Sequence, residues 1–218
     1  MSCAYLAFTE RGLALAQQLA AACPGQVARC GAGGPGLDEW TAAQFAASDA
    51  LIYIGAVGIA VRAIAPHCRS KAADPAVVVL DECGRFAVPL LSGHLGGANA
   101  LARRLAAVCG AVPVITTATD LHGLFAVDEW AKRQGCIVAE PERIKQVSGA
   151  LLAGKRVHFT ADWPIQGTPP AGVQPAAGGC ADFALTLTPT GQALHIVPRI
   201  AVLGIGWLAA PHVLDWAT

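Results

Sequence analysis

Up to Thr160, short apolar runs alternate with stretches whose apolar positions recur every three or four residues. Residues 4–8 have the length and continuous hydrophobicity of a buried strand, and 9–12 form a turn. Residues 12–22 place Leu13, Leu15, Ala16 and Leu19 at helical spacing until Pro24-Gly25 ends the pattern. A second short strand is predicted at 27–30, a glycine-rich loop at 31–36 and a helix at 37–47. Residues 49–54 are apolar, β-branched and aromatic, hence a strand; Gly55 and Gly58 follow, and a helix over 59–65 stops at Pro66. The plainest strand is 76–80. A turn over 81–84 leads to a strand over 85–91, a loop over 92–97 and a helix over 98–108 with Leu101, Leu105 and Val108 on one face. A strand at 112–116, a loop at 117–120, helices at 125–134 and 141–153, and a strand at 154–160 complete the series.

Strands alternating with helices predict an α/β fold: a three-layer, mostly parallel sheet with helices on both faces. A smaller α/β or β-containing segment is expected after it. Residues 162–179 are rich in proline and glycine and read as a linker. Strands recur at 183–187 and 194–197, and 199–206 has the pattern of a strand and glycine turn opening a new α/β unit. The expected divisions are therefore an N-terminal domain over 1–138, a middle segment over 139–198, and the truncated start of a C-terminal domain over 199–218. A lone strand at 200–205 would expose an apolar edge, so it is expected to pair in a homodimer or with a partner.

Composition narrows the function classes. Of 218 residues, 54% are hydrophobic and 14% charged, which fits a globular chain and not a disordered one. Fifteen Lys+Arg balance fifteen Asp+Glu, so no global field draws nucleic acid or a membrane surface. No signal-peptide pattern opens the sequence, and the apolar run at 200–214 is interrupted by Pro211 and His212 and too short for a bilayer. Eight cysteines lack any C-x-x-C pair or Cys/His ligand spacing, which argues against disulfides and zinc and for reduced thiols in the cytoplasm.

Three loops at strand ends carry the candidate chemistry. In the first, Gly55 and Gly58 let backbone approach a ligand and Arg62 can pair with a carboxylate; the same residues also make an ordinary strand-to-helix turn with a surface arginine. The second, Ser92-Gly-His-Leu-Gly-Gly-Ala-Asn99, combines a hydroxyl, an imidazole able to exchange a proton near neutral pH, two further glycines (Gly96 and Gly97) and a carboxamide before a helix. It could equally be a capped helix with an exposed histidine. The third, Thr116-Thr-Ala-Thr-Asp120, offers hydroxyls and a carboxylate that bind a polar ligand, activate water or cap a turn. Lys71, Asp74 and Asp81 are lesser candidates, each otherwise a solvated loop charge. No Walker lysine loop, G-x-S-x-G elbow or full dinucleotide fingerprint is present.

Taken in order, the stretches Gly55–Arg62, Ile64-Ala-Pro66, Asp74-Pro-Ala-Val-Val-Val79, Leu90–Asn99 and Pro113–Asp120 resemble the cobalt-precorrin-5A hydrolase (CbiG) family of anaerobic cobalamin biosynthesis. The resemblance is close over 50–160. It implies hydrolysis of the substrate δ-lactone with release of acetaldehyde, leaving cobalt-precorrin-5B. It also implies no protein-bound metal or other cofactor, because cobalt arrives inside the substrate, a cobalt-corrinoid small molecule edged with carboxylates. For that substrate the expected catalytic residues are His94 as activator of water, with Ser92 and Asp120 orienting it. Gly55, Gly58, Arg62, Lys71, Gly96, Gly97, Asn99, Thr116 and Thr117 are the expected substrate contacts. The family's usual Cys-Arg-Arg-Gly stretch after a Gly-Ile-Gly is replaced here by Trp207-Leu-Ala-Ala-Pro. The other expectation is accordingly a non-catalytic tetrapyrrole-binding subunit that needs a separate C-terminal partner domain.

Overall fold

The computed structural model describes residues 1–31, 33–70, 73–178, 180–188, 191–198, 201–203, 207–209 and 214–216. They form two compact units, Met1–Thr116 and Thr117–Thr218.

Unit 1 is built on a six-stranded sheet of β1 (Cys3–Ala7), β2 (Gly25–Arg29), β3 (Ala50–Ile54), β4 (Ala76–Leu80), β5 (Phe86–Leu91) and β6 (Val112–Pro113), in the order β2-β1-β3-β4-β5-β6. Its helices are α1 (Glu10–Ala22), α2 (Leu37–Ala47), α3 (Val57–Ile64) and α4 (Ala98–Cys109). One sheet face buries Tyr5, Ile52 and Leu80 against Leu19 of α1 and Leu101 and Leu105 of α4. The other buries Leu6, Leu51 and Val77 against Trp40 of α2 and Ile64 of α3. Every residue of β1, β3 and β4 is buried, which is why these strands read as unbroken apolar runs and not as alternations. The expected three-layer α/β arrangement is present.

Strand direction changes once. β1 to β4 are mutually parallel, β5 is antiparallel to β4, and β6 is parallel to β5. The cause is the short β4–β5 link: a parallel crossover needs a dozen residues or more, and only residues 81–85 intervene. Asp81 fastens that link. Its carboxylate accepts the backbone N–H groups of Phe86 at 2.7 Å, Arg85 at 2.9 Å and Cys83 at 3.0 Å. Burial pushes its pKa up, but these three donors and the Arg85 charge outweigh it and hold the carboxyl below its usual value. Asp81 is thus a turn anchor and not a solvated loop charge.

Unit 2 contains α5 (Ala118–Leu121), α6 (Val127–Arg133), β7 (Ile137–Val138), α7 (Ile144–Leu152), β8 (Val157–Ala161), β9 (Ile165–Gln166), β10 (Val173–Pro175), β11 (Phe183–Leu185) and β12 (Leu194–Val197). A five-stranded sheet runs β10-β8-β11-β12-β7, with β7 antiparallel to its neighbour and the other pairs parallel. Phe125, Trp130, Phe159, Phe183 and Trp216 form an aromatic core in which the Trp130 and Trp216 rings stack with centroids 4.7 Å apart.

Three expectations are corrected here. The proline-rich stretch 162–179 is not a free linker, because it supplies β9 and the edge strand β10, where Pro175 is tolerated. Residues 117–120 are mostly helix α5 and not loop. The strand expected at 200–205 is not alone: among the described residues β13 (Ala201–Leu203) and β14 (Trp207–Ala209) pair antiparallel, so one edge of each is paired within the chain; Gly204-Ile-Gly206 lies outside the described residues. Further on, β15 (Leu214–Asp215) pairs parallel with β9, Trp130 Nε1 donates to the Asp215 carbonyl at 2.8 Å, and the Asp215 N–H donates to Gln134 Oε1 at 3.1 Å. Residues 214–216 are therefore part of the unit 2 core. The expected boundary at 138 falls inside this unit, where Val138 of β7 pairs with Ile196.

All eight cysteines are free, and burial pushes the Cys136 thiol up to about 11. Among the described residues no helix is long and apolar enough to cross a membrane.

Candidate functional site

The reversal at β5 decides which loops share an edge. Leu91, the last residue of β5, pairs with Val77 near the start of β4. The loop after β5 therefore emerges where β1, β3 and β4 begin, and residues following β6 emerge at that same edge. Gly55, Gly58 and Arg62 follow the carboxyl end of β3, at the opposite edge. Strands of five residues separate the two edges by about 16 Å. The sequence-predicted substrate contacts thus fall into two groups that the sheet does not bring together.

The β5 loop is wound tightly. Ser92 has φ +57°, the left-handed region that side chains avoid, and it is the sole non-glycine residue with positive φ among the described residues. It is only 8% exposed. Its Oγ donates to the Asp74 carbonyl at 2.9 Å, and its own carbonyl accepts the Ala98 N–H at 3.1 Å. The Gly93 carbonyl accepts the Asn99 N–H at 3.0 Å. A Cβ on Gly96 would lie 2.3 Å from Ser92 Cβ and 2.7 Å from the Ser92 carbonyl oxygen, so that position excludes every other residue. Gly97, at φ +90°, turns the chain into α4. Asn99, 3% exposed, packs its carboxamide beneath Gly93. Between these clamps sits His94, half-buried.

From sequence Asp74 is a lesser candidate or a solvated loop charge. It is 7% exposed, and both its carboxylate oxygens accept the Arg69 N–H at 3.0 Å. Through its carbonyl and Ser92 it ties the 69–74 loop to the β5 loop. The N–H groups of Ala98 and Asn99 close the β5 loop, so the start of α4 offers an anion fewer free donors than the sequence suggested.

At the other edge, Gly55 has a local explanation: a Cβ there would lie 2.6 Å from the Phe8 ring. Gly58 is in the first turn of α3, and the exposed Arg62 donates to its carbonyl at 3.3 Å. A crevice of about 330 Å³ lies beside them, lined by Phe8, Thr9, Ile54, Gly55, Asp81 and Glu82. The Thr9 hydroxyl donates to Glu82 at 2.7 Å, so two carboxylates, Asp81 and Glu82, line this crevice. Thr116, the last residue of unit 1, is exposed. In unit 2, Thr117 Oγ1 donates to Asp120 Oδ2 at 2.5 Å across the start of α5. Lys71 lies outside the described residues.

The sequence reading passed over Asp74 as a buried link and over Arg69 altogether. The signal for the first was its place directly before Pro75 and the β4 run, where a carboxylate collects N–H groups from the preceding turn.

Comparison with known proteins places the chain. Residues 39–120 match the model described as Cobalamin synthesis G N-terminal, and 125–177 match Cobalamin biosynthesis central region. The chain is 49% identical over 114 residues to the cobalt-precorrin-5A hydrolase of Salmonella typhimurium, covering 52% of this chain and 32% of that protein. It is 45% identical over 102 residues to the same enzyme of Priestia megaterium, covering 47% of this chain and 27% of that one. The matched stretch therefore spans about a third or less of these relatives' length. A solved structure, a candidate cobalamin biosynthesis protein G homologue from Sulfolobus solfataricus, superposes with a TM-score of 0.55 at 20% identity, covering 89% of this chain and 58% of that one, a likeness of fold.

Proposed function

Because the chain belongs to the CbiG family of cobalamin-biosynthesis proteins, we propose that it carries out cobalt-precorrin-5A hydrolysis, opening the δ-lactone and releasing acetaldehyde to leave cobalt-precorrin-5B. The observation that carries this reading is the β5 loop: a strained Ser92, a Gly96 that tolerates no side chain, and His94 held between them at a strand end. Backbone strain of this kind costs about 1–3 kcal/mol and concentrates at functional sites.

In this reading His94 takes a proton from water as its oxygen attacks the lactone carbonyl. The carbonyl carbon becomes the new carboxylate, and the lactone ring oxygen leaves as an alcohol on the two-carbon bridge. When that alcohol loses its proton, the bond from the bridge to the macrocycle breaks. The electron pair returns to the ring, and acetaldehyde departs. A base that gives and takes protons near neutral pH serves both steps. Ser92 shapes the loop, and with its hydroxyl proton committed to the Asp74 carbonyl it orients the water only as an acceptor. Gly96 and Gly97 keep backbone close to where the oxyanion forms. Cobalt enters with the substrate.

The test is anaerobic incubation of the purified chain with cobalt-precorrin-5A, with assay of acetaldehyde. Release by the wild type and loss in His94→Ala supports the proposal; full turnover by His94→Ala removes His94 from the mechanism. Spectroscopic binding of the substrate with no release favours the second reading, a binding portion that needs further residues for catalysis.

A further inference from the structure

A second cavity of unit 1 lies one hydrogen-bonded link from the β5 loop. It holds about 410 Å³ and is lined by Phe45, Ala46, Pro66, His67, Arg69 and Asp74, among others. That volume is within the range of small-molecule sites, too small for a whole tetrapyrrole but ample for one acidic arm and the pyrrole edge bearing it. Its lining is mixed in the way a carboxylate on a short methylene chain requires. Phe45, Ala46 and Pro66 are apolar, and the His67 ring leans on Phe45 with centroids 5.7 Å apart.

Arg69 supplies the charge. It is exposed, and among the described residues no carboxylate pairs with its guanidinium, whereas Arg29 pairs with Glu10 and Arg85 with Asp81. Its backbone is nevertheless held in place. The Arg69 N–H bonds both carboxylate oxygens of Asp74, and the Asp74 carbonyl accepts the Ser92 hydroxyl. The Asp74 carboxylate thus lies on the Arg69 backbone and not on its guanidinium, so the arginine side chain stays available. The chain places a cation on a fixed base, two hydrogen bonds from the loop that carries His94.

We propose that this cavity is a subsite for one peripheral carboxylate arm of the macrocycle, with Arg69 pairing the carboxylate and Phe45 and His67 covering its methylene chain. Arg69 is then a substrate-anchoring residue, whose pair with one arm adds the same binding energy before and during reaction. The subsite rests on the reading of that loop as the place of lactone opening, and its test keeps the two apart.

The binding probes are cobyrinic acid, a corrin whose arms are free carboxylates, and cobinamide, whose arms are neutral amides. Binding of each is followed by the corrin absorbance or by calorimetry on wild type, Arg69→Met and Arg69→Lys. Arg69→Met is expected to weaken cobyrinic acid about tenfold or more, the worth of one charge-assisted pair, and to leave cobinamide unchanged. Arg69→Lys, which keeps the charge but loses the fork, is expected to recover part of the loss. With cobalt-precorrin-5A, Arg69→Met is expected to raise KM while kcat is retained. Equal affinity of wild type and Arg69→Met for cobyrinic acid, or an equal loss for both probes, overturns the subsite. Arg69-dependent carboxylate binding in a chain that releases no acetaldehyde leaves the subsite standing and removes the hydrolase reading. Acetaldehyde release with an unchanged KM in Arg69→Met does the reverse.

Discussion

Position 92 offers a sharp test of the site's construction, because two physical effects oppose each other there. Replacing Ser92 with alanine removes the hydroxyl that donates to the buried Asp74 carbonyl at 2.9 Å. Leaving that acceptor unpaired costs about 1–3 kcal/mol. Replacing Ser92 with glycine loses the same bond but also relieves φ +57°, a conformation that costs a residue with a Cβ about 1–2 kcal/mol. Glycine loses more chain entropy on folding, which returns about 0.4–1 kcal/mol. The balance makes Ser92→Gly more stable than Ser92→Ala by about 0.5–1 kcal/mol, the reverse of the order at an ordinary buried position. Urea unfolding of the two variants in parallel measures the difference directly, since both lose the same hydrogen bond and their m-values should agree. Alanine equal to or more stable than glycine would refute the strained geometry of Ser92 and, with it, the observation on which the functional proposal stands.

Three further outcomes are expected. Gly96→Ala forces a Cβ to 2.3 Å from Ser92 Cβ and 2.7 Å from the Ser92 carbonyl oxygen, so the loop must shift; overpacking of this kind costs about 1–3 kcal/mol, and a displacement of the reacting group by about 1 Å lowers turnover roughly 100-fold, read by acetaldehyde release against thermal unfolding. Turnover within a factor of two would contradict it. Asp81 has a depressed folded pKa, so its stabilisation is complete above the ordinary carboxylate pKa and is lost as pH falls through the folded value. The stability gap between wild type and Asp81→Asn should therefore shrink in urea titrations taken from pH 5 down toward 2, and a gap that stays constant over that range counts against the anchor. Trp216→Ala removes a buried indole stacked on Trp130 and should destabilise unit 2 by roughly 3–5 kcal/mol, followed by near-ultraviolet circular dichroism during denaturation; a loss below about 1 kcal/mol would mean that residues 214–216 are not part of that core.

Periodicity made most of the fold legible. The runs at 4–8, 49–54 and 76–80 were visible as buried strands because both faces of the sheet are covered, and the spacing of Leu101 and Leu105 marked the inner face of α4. Where the reading stopped short, it was at short elements whose identity is set by their neighbours. β10 carries Pro175 and lies in a stretch that local propensity assigns to loop; only its pairing with β8 makes it a strand. β13 was legible as a strand, but its pairing with β14 was not. The chemistry of the β5 loop was legible as composition, since serine, histidine, glycines and asparagine crowd into one stretch. The strain at Ser92 and the engagement of its hydroxyl were not, because both depend on Asp74, eighteen residues earlier in the chain.

The direction of β5 matters most for function, and it could have been read. Asp81-Glu-Cys-Gly84 joins two apolar runs with too few residues to cross over the sheet, so the second strand must return antiparallel. From that alone it follows that the loops after β3 and β5 leave the sheet at opposite edges, and that the rule placing ligands at carboxyl ends of parallel strands picks out two sites in unit 1 instead of one. The β3 edge holds the acidic crevice with Asp81 and Glu82, while the β5 edge holds His94 and, through Asp74, Arg69. Under the proposed function, a substrate edged with carboxylates finds at the second edge an imidazole and an exposed arginine close to the same loop. What distinguishes two edges that glycine content alone made look alike is backbone strain beside an imidazole, and on that coincidence rests the proposal that the substrate meets the β5 edge.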